Sequence, residues 1–430
     1  MNTEKDRQKT FSITAGDISM YYGRAMADQQ ITFVIEFAGK LDLQRLTDSL
    51  ALLYKTLPIL KTVLTLKGSK FNRIWAEKAE ITPQVVNNPS NLHDTVLRFV
   101  SEPTDPHTEQ PLKLMLIRGE NEDALYVKID HVLTDGSGFK FLLYALAEAY
   151  NKGKIELPIN YRRGFDQIYH RVSPFVLFKE IIRRTKPSGP GPVLVEGPFE
   201  LGPHFIERAV LTPDQLERLH QSGKRHKATI NDLLLTALYR SVFQSPAVKT
   251  GTDYPVVVPV DMRRYLPENR RGCIANLTSY IYSSLSKVAD ESFIDTLQRI
   301  KKCMDQYKQQ HPGLGTMFFI SLAGLNRRKP LEKGYQRNNS RGPSSINLSN
   351  TGSINDELLQ FSQHGRAVVS VKDAYIIGTI MYAPEIIIAV SSFRDKLNLI
   401  VQGNDSQRFQ PFVKSLLQSI IMELETFMGA

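Results

Sequence analysis

Cysteine is nearly missing from this chain, with Cys273 and Cys303 the only two in 430 residues. Neither belongs to a C-x-x-C or Cys/His spacing, so the sequence indicates neither a disulfide framework nor a zinc site. Long unbroken apolar runs are missing too. The longest apolar tract, Ala374 to Phe393, is interrupted by Gly378, Pro384 and Glu385, and reads as two β-strands around a turn rather than a membrane span. Met1 to Thr10 is polar and charged, without the apolar centre of a secretory signal. A cytoplasmic protein without a metal or redox cofactor is therefore the expectation. Disorder is excluded by composition, because 42% hydrophobic and 23% charged residues are the values of a folded globular chain.

Acidic residues are in deficit. Lys and Arg number 54 against 44 Asp and Glu, a net charge of +10, which favours an acidic partner: nucleic acid, anionic lipid, coenzyme A phosphates or an acidic carrier protein. A solvated basic surface is the plainer account. No helix-turn-helix, zinc-finger or RNP-like motif accompanies the charge, which sets nucleic acid aside. The excess gathers in two regions, Arg162 to Lys186 and Arg327 to Arg341.

Taken in order, Phe11 to Tyr22 reads as an irregular opening segment and Ile31 to Phe37 as a strand. Asp42 to Leu57 is a helix with Leu43, Leu46, Leu50 and Leu53 on one face, stopped by Pro58. Leu60 to Leu66 and Phe71 to Ala76 form a hairpin, and Leu112 to Ile117 a strand. In Ala124 to Tyr150, ALYVKIDHVLTDGSGFKFLLYALAEAY, the residues Leu125, Val127 and Ile129 alternate with Tyr126, Lys128 and Asp130. That is the period of a strand with one face buried, and His131 falls on the buried side. Gly136 and Gly138 mark a sharp turn, Asp135 or Ser137 can cap the next helix, and Phe139, Leu142, Leu143, Leu146 and Tyr150 recur at helical spacing.

Ser173 to Arg184 is a short amphipathic helix in a basic neighbourhood. The Pro/Gly-rich stretch within residues 186–198 is the best linker candidate, dividing the chain into residues 1–185 and 199–430. Roughly 200 residues on each side suffice for a core of its own. The second half repeats the first in outline. Phe205 to Leu211, Tyr254 to Val260 and Leu277 to Leu285 are strands; Pro213 to Gln221, Thr229 to Gln244 and Ser292 to Gln309 are helices. Strands around Ser344 to Asn350, Ala367 to Val371, Tyr375 to Tyr382, Glu385 to Ser391 and Leu397 to Val401 precede a last helix, Phe409 to Phe427. The fold class is mixed α/β.

His131-Val132-Leu133-Thr134-Asp135-Gly136 has the pattern H-x-x-x-D-G. Given nine histidines, chance would produce it in only about 0.03 such chains. The pattern resembles the signature of the acyltransferase superfamily that includes chloramphenicol acetyltransferase, alcohol acetyltransferases, the plant BAHD enzymes and the condensation domains of nonribosomal peptide synthetases. The opening of the chain, a strand, Gly39-Lys40-Leu41-Asp42, a leucine-rich helix and a proline-led strand, is similar as well. The resemblance implies a stand-alone protein of two chloramphenicol acetyltransferase-like α/β lobes with an active-site tunnel between them. It departs from the condensation-domain pattern H-H-x-x-x-D-G at Asp130, whose side chain should project to the opposite strand face, and no D-F-G-W-G of the BAHD branch occurs.

Imidazole titrates near neutrality, so His131 is the candidate catalytic group; in the superfamily the matching histidine is the general base that deprotonates an alcohol or amine as it attacks a thioester. Asp135 has two readings, a carboxylate orienting His131 or, as the resemblance implies, the partner of an arginine that holds the turn. Pro259-Val260-Asp261-Met262-Arg263 resembles the family's P-V-D-L-R stretch and makes Arg263 that partner, with Arg264 as substitute. Gly136 supplies a backbone conformation that a side chain would hinder. Asn347-Leu348-Ser349-Asn350-Thr351-Gly352 resembles a late S-N-x-G stretch and offers Ser349 or Asn350 as an oxyanion donor; a turn closing a strand is the other reading. Arg327, Arg328 and Lys329 are candidates for binding coenzyme A. The implied activity is acyl transfer from a coenzyme A or phosphopantetheine thioester, the latter on an acidic acyl or peptidyl carrier protein, to a small-molecule hydroxyl or amine. A catalytically idle module that binds an acylated carrier or small molecule is the alternative.

Overall fold

The computed structural model of the chain describes residues 11–67, 70–76, 82–183, 191–195, 202–325, 346–362, 369–404 and 407–429. The first half runs α1 (Ala15–Gly23), β1 (Ala27–Asp28), β2 (Gln30–Phe37), α2 (Leu43–Thr56), the hairpin β3 (Thr62–Lys67) and β4 (Lys70–Trp75), β5 (Gln84–Asn87), α3 (Leu92–Ser101), β6 (Leu112–Arg118), β7 (Asp123–Asp130), α4 (Gly136–Lys152), α5 (Asp166–Tyr169) and α6 (Pro174–Arg183). The second half runs β8 (His204–Leu211), α7 (Pro213–Arg225), α8 (Ile230–Phe243), β9 (Asp253–Asp261), β10 (Thr278–Ser286), α9 (Phe293–Lys308), α10 (Leu314–Leu325), β11 (Ile346–Ile354), β12 (Val371–Ile377), β13 (Ile380–Met381), β14 (Ile386–Phe393), β15 (Lys396–Asn404) and α11 (Phe409–Gly429). The interrupted apolar tract at 374–393 thus folds as strands, and among the described residues no helix is long and apolar enough to cross a membrane.

These elements make two mixed α/β lobes. The first is built on a five-stranded sheet of order β12-β2-β7-β6-β5, the second on an eight-stranded sheet of order β1-β13-β15-β14-β11-β9-β10 with β8 added on β15. Leu46, Leu50 and Leu53 of α2 and Leu142, Leu143 and Leu146 of α4 bury against Phe33, Val127 and Ile129; α8 and α11 bury Leu234, Leu238, Leu417 and Ile420 in the core of the second lobe.

The lobes are not contiguous halves of the chain. Strand β12 from the second half pairs antiparallel with β2, from Val371 opposite Phe37 to Ile377 opposite Thr32. In the other direction, Ala27 and Asp28 of β1 pair with Met381 and Ile380 in the eight-stranded sheet. The linker expected at 186–198 lies partly outside the described residues, as does the strand expected from Ala367 before Val371.

Three local expectations need correction. The opening segment is not irregular but forms α1, started by a capping box in which Asp17 N–H donates to Thr14 Oγ1 and Thr14 N–H donates to Asp17. Helices α3 and α10 also formed where no element was expected. Finally, β7 is covered on both faces: Tyr126, Lys128 and Asp130 are as buried as their apolar neighbours, because α3 brings Phe99 and Val100 against Tyr126 and Met115 on the side expected to face water. Lys128 ends there donating to the carbonyls of Phe99 and Glu102 at 2.5 and 2.6 Å.

Candidate active site

The chain leaves β7 at Asp130 and enters α4 at Gly136, and the five residues between are held from both lobes. Asp135 is the N-cap of α4, its Oδ1 accepting from Gly138 N–H at 2.9 Å. Its Oδ2 accepts from Arg263 Nη1 at 2.9 Å, Leu277 N–H at 2.7 Å and Thr278 Oγ1 at 3.0 Å, all on the second lobe. Both carboxylate oxygens are thus occupied and none of these partners is His131, so the triad reading of Asp135 does not hold. The Arg263 pairing is present as expected, whereas Arg264 is exposed near the Tyr265 ring. Burial pushes the Asp135 carboxyl up, but the Arg263 charge and the hydrogen bonds from Arg263, Gly138 and Leu277 outweigh it and hold the group below the usual carboxylate range. Arg263 also donates through Nη2 to the carbonyls of Cys273 and Ala275, at 3.1 and 2.8 Å.

Gly136 is needed for space rather than for an unusual φ. A Cβ there would lie 3.0 Å from Thr351 Cγ2, where Lys140 Nζ donates to the Thr351 carbonyl at 2.6 Å and draws β11 onto the turn. Gly138 is tighter still, since a Cβ would meet Thr134 Oγ1 and sit 2.9 Å from the Cys273 carbonyl.

His131 is partly exposed at the end of β7 and lines a cavity of about 310 Å³ between the lobes. Its Nδ1 lies 3.1 Å from Asn276 Oδ1. The Asn276 amide is oriented without ambiguity, because Nδ2 faces three acceptors: Asp17 Oδ1 at 3.0 Å and the carbonyls of His131 and Val132 at 2.8 and 3.2 Å. Its oxygen therefore points at Nδ1, which must carry the proton and donate, leaving Nε2 as the basic nitrogen. Asp17 is in turn gripped by both Nη atoms of Arg163, at 2.9 and 3.0 Å, and Arg163 Nε donates to the Ile274 carbonyl at 3.0 Å. The sequence reading missed Asn276, Asp17 and Arg163. A T-x-x-D capping signature at Thr14 to Asp17 was available for α1; Asn276 has no local signal.

The other side of the motif is fixed by two more arginines. Asp130 projects away from the cavity, as expected for the opposite strand face; it pairs with Arg24 at 2.9 Å and accepts from Val132 N–H at 2.9 Å. Burial nonetheless raises its carboxyl above the ordinary range. Arg73 donates to the Val132 carbonyl at 3.1 Å, and its own burial lowers it to about 10. Ser349 and Asn350 line the same cavity as His131. Asn350 Oδ1 accepts from Gly352 N–H at 2.9 Å, with Gly352 at φ 72°, so the turn reading of this stretch also describes it. Arg327, Arg328 and Lys329 lie outside the described residues.

A family profile described as the condensation domain matches residues 26–165, the segment that carries the motif. That match spans 140 of the chain's 430 residues, and over this segment the chain is similar to a condensation domain. Surfactin synthase subunit 1 of Bacillus subtilis (strain 168) is 26% identical over 167 residues, 36% of this chain and only 4% of that much longer protein. Among solved structures, the first condensation domain of the calcium-dependent antibiotic synthetase, in complex with a substrate analogue, is 14% identical over 98% of this chain and 97% of its own, with a TM-score of 0.71. Polyketide synthase associated protein 5 from Mycobacterium tuberculosis is 15% identical, covering 97% of this chain and 98% of that one, with a TM-score of 0.63. The X-domain from teicoplanin biosynthesis is likewise 15% identical, covering 97% and 95%, at 0.67. The condensation-domain fold, two lobes over a shared cleft, thus extends across nearly the whole chain.

Proposed function

We propose that this protein transfers an acyl group from a thioester, carried by coenzyme A or by a carrier protein, to a hydroxyl or amine, with His131 as the general base. The observation that carries the reading is the Asn276 contact, which engages the Nδ1 side of His131 and makes Nε2 the nitrogen that takes the proton in the neutral ring, in a cavity shared by both lobes. The acceptor O–H or N–H gives its proton to Nε2 as its oxygen or nitrogen attacks the thioester carbonyl. The tetrahedral oxyanion then collapses, the C–S bond breaks, and the thiolate takes the proton back from the imidazolium. Ser349 and Asn350 are the donors we assign to the oxyanion. Asp135, Gly136 and Arg263 shape the turn that presents the base.

The test is thiol release from a panel of acyl-coenzyme A and acylated carrier donors, with alcohol and amine acceptors varied. His131→Ala is expected to lower turnover by about 10²–10⁴-fold with little change in stability; undiminished turnover refutes the assignment. Binding of an acylated carrier by a wild-type protein that turns over none of the panel would assign it the idle binding role instead.

A further inference from the structure

The basic stretch from Arg171 onward is not used by the proposed chemistry, and its helix α6 has an unusual surface. At about 100° per residue, Val176, Leu177, Glu180 and Ile181 share one face, and that face is the one turned inward: Val176 and Leu177 pack on the core of the second lobe and Glu180 is buried. The opposite face carries Phe175, Phe178 and Ile182, which are 74%, 62% and 69% exposed. Lys179 continues the outward arc and is exposed, as are Arg171 just before the helix and Arg183 at its end. The only acid on the helix, Glu180, is on the inner face, 3.8 Å from Arg183.

We propose that α6 docks this protein on an anionic membrane surface, lying in the interface with Phe175, Phe178 and Ile182 among the acyl chains and Lys179 and Arg171 at the headgroups. A cationic helix with bulky apolar side chains on its outer face is the recognised form of an interfacial anchor, and each basic residue near an anionic leaflet adds to the attraction. A bilayer fits this surface better than a protein does. Specific protein interfaces need roughly 800 Å² of matched surface on each partner. This ridge is convex and only about 15 Å long, whereas lipid needs no matching shape. Among the described residues nothing covers this face, where all three apolar side chains stand exposed. Helix α6 packs on α10, whose Ile320 lines the cavity. A docked membrane would therefore adjoin the cavity wall and give lipophilic substrates a short path to it. This inference does not depend on the proposed reaction.

Sedimentation of the full chain with vesicles tests it. Vesicles of equimolar phosphatidylcholine and phosphatidylglycerol should carry the protein down, phosphatidylcholine alone should carry less, and salt should weaken the first. Replacing Phe175, Phe178 and Ile182 together by Ser should lower the partition coefficient at least about tenfold, and Arg171→Glu with Lys179→Glu should abolish the preference for anionic vesicles, with melting temperatures unchanged because all five side chains are exposed. A wild type that stays in the supernatant, or a triple variant that binds as wild type does, overturns the proposal. So does a concentration-dependent dimer, or binding to an acidic carrier protein, that is lost in the triple variant when wild type ignores vesicles.

Discussion

Asp135 and Arg263 invite a double-mutant cycle, because their pairing joins the lobes behind the catalytic turn. Both are buried, and relieving one of its partner leaves the other charged without one, which costs about 3–5 kcal/mol. For Asp135→Ala the structure places the charge penalty near the lower bound, since Arg263 keeps Asp261 at 3.2 Å and two carbonyls. The lost N-cap of α4 adds about 1 kcal/mol, giving roughly 4 kcal/mol in all. Arg263→Ala leaves the Asp135 carboxylate with three uncharged donors, from Gly138, Leu277 and Thr278, and is expected to cost about 3 kcal/mol. The double variant has no stranded charge and should lose about 5 rather than about 7 kcal/mol, a coupling near 2 kcal/mol. Urea unfolding followed by circular dichroism measures all four corners, with a constant m-value as the control. A coupling under about 0.5 kcal/mol would refute the argument, because that is what distant or solvent-screened pairs give. Arg263→Lys should fall between, since an ammonium cannot reproduce the guanidinium fork to carboxylate and carbonyls.

The same geometry sets other outcomes. Asn276→Ala should lower kcat by roughly tenfold or more with KM little changed, as the imidazole proton is no longer held on Nδ1; a full-rate variant would remove Asn276 from the site. Gly138→Ala should destabilise by more than about 2 kcal/mol, because the added methyl meets Thr134, the Cys273 carbonyl and the Arg263 guanidinium; a melting temperature within error of wild type would contradict that packing. Burial pushes the Glu385 carboxyl from 4.5 up to about 7. The folded chain then keeps a proton that the unfolded chain has released, so stability should fall by up to about 3 kcal/mol as pH rises across that interval, and level off above it. Glu385→Gln should flatten this slope in melts from pH 4.5 to 8, and an unchanged slope would assign it to other groups.

What the sequence made legible was whatever a short window encodes. The strand and helix around His131 announce themselves by period, and Arg263 is placed by its neighbours Pro259 to Met262. The support of His131 is of another kind: Asp17, Arg163 and Asn276 are 146 to 259 residues apart in the contacts they make with one another, and no local pattern links them. The error at Lys128 and Asp130 has the same origin. Alternation reports that one face of β7 is apolar; whether the other face meets water depends on α3, whose short amphipathic run passed unnoticed between two loops.

The exchange of β12 and β1 between the sheets bears on how the molecule is made. A chain cut near residue 190 would yield an amino-terminal fragment whose β2 has an open edge along Thr32 to Phe37, and a carboxyl-terminal fragment carrying Val371, Ala374 and Ile376, side chains that belong in the other core. Bare edges of that kind seek a strand. The fragments should therefore fail singly and rescue each other when co-expressed, a natural split protein whose reassembly rebuilds the sheet behind His131.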